Sequence, residues 1–98
     1  MQITYNKEAE KLTVAPEGRL DTVTAPEFEQ KIGELLPGIS DLVLDMTKVE
    51  YVSSAGLRVI LKIQKAMFKR GNMKLIGVNE SVMEVFEITG FSNILKIE

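Results

Sequence analysis

Tyr51-Val52-Ser53-Ser54-Ala55-Gly56-Leu57 is the stretch whose reading decides the fold. An extended segment stops there and a long amphipathic helix starts. Two adjacent hydroxyls mark the junction. A helix start has backbone N–H groups without intrahelical partners and carries partial positive charge. A serine at that point either caps the helix or sits where an anion is tolerated. Downstream, the helix is expected to run from Ser53 to Arg70, with Gly71-Asn72 as its stop. Leu57, Ile60, Leu61, Met67 and Phe68 fall on one stripe at helical spacing. Upstream, Asp41-Leu42-Val43-Leu44-Asp45 is a continuous apolar run between acids. That is the pattern of a strand covered on both faces.

The same alternation extends outward. Ile3 and Tyr5 alternate with polar neighbours, as do Leu12 and Val14, and a polar stretch separates them. This predicts two strands joined by a turn. Pro16 and Gly18 predict an edge, a bulge or an end in the second strand. Thr24-Ala25-Pro26-Glu27 has the form of a capping box, followed by the apolar face Phe28, Ile32, Leu35 and Leu36. Pro37-Gly38 ends that helix. Leu75, Ile76 and Val78 predict a further strand. Ser81-Val82-Met83-Glu84 reads as a second capping box, with Val82, Val85 and Phe86 facing inward and Gly90 as the stop. Residues 93–97 form either a last short strand or a docked tail. The predicted order is β-β-α-β-α-β-α(-β). Right-handed crossovers then make a mixed, mostly parallel sheet with helices against it, an α/β fold in one domain spanning residues 1–98.

Composition narrows the chemistry. The 98 residues are 45% hydrophobic and 27% charged, with net charge −2 and neither Cys nor His. Thiol nucleophiles, His-based triads and the usual zinc sites are therefore excluded. No spacing matches a phosphate-binding glycine loop. No apolar run approaches the roughly 20 residues of a membrane span. These features favour no metal, cofactor, membrane or direct nucleic-acid partner, and the absence of Cys fits a cytoplasmic address. A small flavodoxin-like enzyme or nucleotide binder is disfavoured on the same grounds.

Local chemistry separates the two serines. With Ser53 as N-cap, its oxygen accepts a backbone N–H. Ser54 is then the first helical residue and its hydroxyl points outward. Plain capping is the commoner use of such serines. The longer pattern changes that weighting. Gly18-Arg19-Leu20-Asp21-Thr22-Val23-Thr24-Ala25-Pro26, then Leu42-Val43-Leu44-Asp45, then Val49-Glu50-Tyr51-Val52-Ser53-Ser54-Ala55-Gly56-Leu57 resemble the bacterial anti-sigma factor antagonists, which are single STAS domains. The likeness covers nearly the whole chain, and the serine segment is its most specific part.

The resemblance implies partner switching by a cytoplasmic regulatory binding module that is not an enzyme. In that family the unphosphorylated antagonist binds an anti-sigma factor that is also a serine kinase, and so frees a sigma factor. The kinase then phosphorylates a serine at the helix start, and a PP2C-type phosphatase resets it. The phosphoserine falls on Ser54. Ser53 stands where the family has an acid, and Ala55 where it has a second hydroxyl, so Ser53 is a competing but less favoured site. Asp21 and Thr22 are implied to contact the partner beside Ser53 and Ser54, and Gly56 and Leu57 to shape the docking surface.

Charge adds a strip. Arg58, Lys62, Lys65 and Lys69 recur at spacings of four, three and four on a helix without acids. The bland reading is a solvated face; the sharper one is a docking strip in which Arg58 and Lys62 extend the partner surface from the serine. Asp21 is expected to order its turn and Asp45 to make an Asx-type turn with Thr47. A metal-binding pair of Asp21 and Asp45 is only weakly signalled. Tyr51 and Phe91 read as packing residues. The expected oligomeric state is monomer or weak dimer. The alternative function is a structural STAS subunit of a transporter complex or stress-sensing particle, with Ser54 as a fixed contact.

Overall fold

β1 (Gln2–Glu8) and β2 (Lys11–Leu20) form the expected antiparallel hairpin, in register from Gln2 opposite Glu17 to Glu8 opposite Lys11. The computed structural model describes all residues, Met1–Glu98. β2 is the organising strand. Its first half pairs in parallel with β3 (Asp41–Asp45), and its last residues pair in parallel with β4 (Val49–Val52). The change of partner needs a bend. The register shifts between Gly18 and Arg19, where Gly18 takes φ 101°. That is a left-handed conformation that favours glycine, so the Pro16/Gly18 signal resolves as a bulge within a continuing strand. β3 pairs in parallel with β5 (Asn72–Ile76), giving the order β1-β2-β3-β5 with β4 beside the end of β2.

β4 is an additional strand beyond the predicted order. Val49 and Val52 are buried while Glu50 and Tyr51 are exposed. That pattern lacks two-residue alternation, so only pairing with β2 identifies it as a strand. The C-terminal stretch docks: Ile97 makes a single parallel bridge to Leu75, after a 3-10 turn at Phe91–Asn93.

The helices are α1 (Ala25–Leu35), α2 (Ser54–Phe68) and α3 (Glu80–Thr89). Both predicted capping boxes are corrected. Thr24 makes no side-chain cap to α1, because its hydroxyl is engaged with the preceding turn. Glu27 instead pairs with the Met1 amine at 2.9 Å. α3 starts one residue before Ser81, and its cap is Asn79, whose Oδ1 accepts the Val82 N–H at 2.8 Å. Asn79 also donates to the Val49 carbonyl, tying α3 to β4.

Phe28 and Ile32 of α1, Val59, Ile60, Ile63 and Met67 of α2, and Val82 and Phe86 of α3 close one core over Leu12, Val14, Leu42, Leu44 and Leu75. Two members of the expected α2 stripe depart from it: Leu61 is only half-buried, and Phe68 is 82% exposed. Phe68 sits at the last helical position, where the chain turns toward β5 and no element covers it.

Candidate functional site at the start of helix α2

The bend in β2 determines what surrounds α2. Arg19 pairs with Tyr51 and Leu20 with Val52, so the β2–α1 loop and the start of α2 leave the sheet side by side. The Ser53 N–H then donates to the Leu20 carbonyl at 2.9 Å. Ser53 itself is extended, with φ −89° and ψ 177°, and its Oγ accepts the Gly56 N–H at 3.4 Å. The cap position is thereby filled. Ser54 is the first helical residue and is exposed. No protein acceptor meets the N–H groups of Ser54 and Ala55. The helix start therefore presents a free hydroxyl beside unpaired donors, at the positive end of the helix dipole.

Gly56 explains how α2 comes so close to the sheet. A Cβ at that position would lie 2.6 Å from the Leu20 carbonyl oxygen and 2.9 Å from the Leu20 side chain. Gly56 and Leu57 are both buried. They do not offer surface to a partner; they set the height at which Ser54 stands.

Asp21 holds the neighbouring loop. Its Oδ1 accepts the Val23 N–H at 3.0 Å and the Thr24 N–H at 3.2 Å. The Thr24 hydroxyl accepts the Asp21 N–H and donates to the Arg19 carbonyl at 2.7 Å. The Thr24 N–H, followed by the Val23 N–H, the Thr24 hydroxyl and the Arg19 guanidinium, lowers the Asp21 pKa against a partial desolvation that raises it. Asp21 orders its turn as expected, and so does Asp45, whose Oδ1 accepts the N–H and hydroxyl of Thr47.

That turn pushes Thr22 and Val23 outward. Thr22 is exposed and Val23 is 84% exposed. Tyr51 is also exposed, at 41%, which corrects its reading as a packing residue. Arg19 lies over its ring at 4.4 Å while reaching Asp21 at 3.6 Å. Sequence reasoning missed Val23 and Tyr51 as surface. No periodicity marks a loop valine, but Arg19 and Tyr51 sit at paired strand ends, a signal visible only once the register is known. Arg58 is exposed beside Thr22, Pro26 and Ala55 in a shallow groove between α1 and α2. Lys62 is not a free cation, since it bonds Glu29 of α1 at 3.2 Å. Thus Thr22, Val23, Tyr51, Ser54 and Arg58 are exposed on the segments that meet at the start of α2, giving a mixed apolar and polar surface there. No group of three or more acidic side chains is arranged to hold a metal ion. No helix is long and apolar enough to cross a membrane.

The STAS domain model matches residues 2–98. The chain belongs to the STAS-domain family of anti-sigma factor antagonists. The STAS chain is 32% identical over 99 residues to BtrV of Bordetella bronchiseptica, named an anti-sigma factor antagonist, covering 99% of this chain and 85% of BtrV. It is 32% identical over 81 residues to the anti-sigma-B factor antagonist of Bacillus subtilis, covering 82% and 74% of the two chains. Among solved structures, a Thermotoga maritima protein named as an anti-sigma factor antagonist superposes with TM-score 0.90 at 26% identity, over 97% of this chain and 84% of that one.

Proposed function

We propose that this STAS domain is an anti-sigma factor antagonist acting in the cytoplasm, switched off by a phosphate on Ser54. One observation carries the reading: Ser53 fills the cap, so Ser54 holds an exposed hydroxyl that the fold does not use. The partner is an anti-sigma factor with serine-kinase activity, and a PP2C-type phosphatase removes the phosphate. Ser53, held by Gly56, is the less accessible acceptor. Thr22, Asp21 and Arg58 flank the docking face, while Gly56 and Leu57 act from beneath it.

The physics of the switch is asymmetric. A phosphate brings about −1.5 to −2 charges. At a helix N-terminus that charge is stabilised by roughly 0.3–1 kcal/mol, so the free domain keeps its fold. In an interface the same hydrated dianion must be desolvated, at a cost of several kcal/mol if it is left unpaired. A loss of about 4 kcal/mol weakens binding roughly a thousandfold. The kinase supplies the catalytic base, so the acid that Ser53 replaces is not needed for the chemistry.

The test combines mass spectrometry with titration calorimetry, using an anti-sigma factor kinase from the same organism. One phosphate is expected on Ser54 in the presence of ATP. Ser54→Ala should bind regardless of ATP, and Ser54→Asp should bind far more weakly with unchanged circular dichroism. Equal phosphorylation of wild type and Ser54→Ala would sink the switch. Undiminished binding by the phosphorylated protein would do the same.

A further inference from the structure

Two helices each carry one sign of charge. α2 and its C-cap hold Arg58, Lys62, Lys65 and Lys69 without an acid, and α3 holds Glu80, Glu84 and Glu87 without a base. Net charge is only −2, so the separation is local. On α2, helical periodicity puts Arg58, Leu61, Lys65, Phe68 and Lys69 on the face opposite Gly56, Ile60, Ile63 and Met67. On α3 it puts Glu80, Glu84, Glu87 and Ile88 opposite Val82 and Phe86. Each outer face also presents one strongly exposed large apolar side chain: Phe68 is 82% exposed and Ile88 is 77% exposed, whereas Leu61 is half-buried.

These faces do not neutralise each other within one chain. Lys62 is paired with Glu29, whereas Arg58, Lys65, Lys69, Glu80, Glu84 and Glu87 take part in no ion pair. A lone exposed apolar side chain is ordinary. An exposed aromatic that shares a helix face with Lys65 and Lys69, and an exposed isoleucine that shares one with Glu84 and Glu87, make a complementary pair.

We infer that the outer face of α2 docks on the outer face of α3 of a second copy of this chain. The dimensions agree. Lys65 and Lys69 are four residues apart, as are Glu80 and Glu84, so each pair forms one ridge. The ten residues of α3 fit alongside the fifteen of α2. Phe68 and Ile88 supply the desolvated centre, and the charges supply a rim that steers encounter and fixes orientation. Two different faces meet, so the contact closes when a two-fold axis lets each α2 take the other copy's α3.

Sedimentation equilibrium of the full chain tests this. Wild type should self-associate, with affinity falling at least about tenfold between low salt and roughly half-molar salt. Lys65→Glu with Lys69→Glu should remain monomeric, and so should Glu84→Lys with Glu87→Lys. An equimolar mixture of the two double variants should associate within about threefold of wild type, because both contacts are restored in the heterodimer. Phe68→Ser changes no charge and should weaken association about tenfold or more. Circular dichroism verifies folding of every variant. Wild type that stays monomeric at all concentrations would overturn the inference. So would double variants that associate like wild type, or a mixture that does not recover. A monomeric wild type whose α2 stripe instead captures an acidic partner would assign that face to a different occupant.

Discussion

The two ends of α2 are built differently. The start is assembled from three segments: the ordered turn after β2, the end of β4 and the first turn of the helix. The Ser53 N–H is held by the Leu20 carbonyl of β2, and the Asp21 carboxylate orders the neighbouring turn. The far end carries Phe68, Lys65 and Lys69 on one helical face with no covering element. A surface made by several segments can hold one hydroxyl at a fixed height and angle. A single helical face is set by periodicity alone and stays available for a partner.

The largest expected effect separates the ends by stability. Gly56→Ala should cost about 1–3 kcal/mol in chemical denaturation, because its Cβ would collide with Leu20 backbone. Phe68→Ala should stay within about 0.5 kcal/mol, as exposed substitutions do. If Gly56→Ala were neutral, the close approach of α2 to β2 would not govern the site. Next come the neighbouring hydroxyls. Ser53→Ala should lose about 1 kcal/mol of stability through the missing cap. Ser54→Ala should change stability by less than about 0.5 kcal/mol. The reverse ranking would mean that Ser54, not Ser53, is the structural serine.

The smallest effect concerns Asp21 and acid. Its carboxyl pKa is lowered in the folded protein, so the folded state favours the charged form. The stability it contributes is complete above the unfolded pKa near 3.9 and is lost as pH falls through the lower folded value. Asp21→Asn should therefore be less stable than wild type by a constant margin from neutrality to about pH 4. The margin should shrink below that. Urea midpoints measured against pH would show it, and a margin that widened in acid would contradict the hydrogen-bonded turn.

Much of this architecture is visible in the residues themselves. The Asp41–Asp45 run, the α2 periodicity and the Ser53 cap all follow from local pattern, because burial and capping act over one or two turns. The misses share one cause. Thr24 and Ser81 looked like caps, but the Arg19 carbonyl engaged the first and Asn79 displaced the second. β4 lacks alternation and becomes a strand only against the end of β2. Phe68 falls on the helical pattern but projects from the far end of α2.

At the site itself, the sequence alone determined that a capped helix begins at Ser53, that Ser54 is not needed for the cap, and that a basic stripe follows. Those are consequences of N-cap chemistry and a 3.6-residue period. Tertiary structure alone decided which segments meet at the start of α2. The bulge at Gly18 turns β2 toward β4, and Gly56 lets α2 settle on Leu20. Asp21 then holds Thr22 and Val23 outward, and Arg19 lies over Tyr51. These are contacts between residues far apart in the chain, and no local pattern encodes the distance between them.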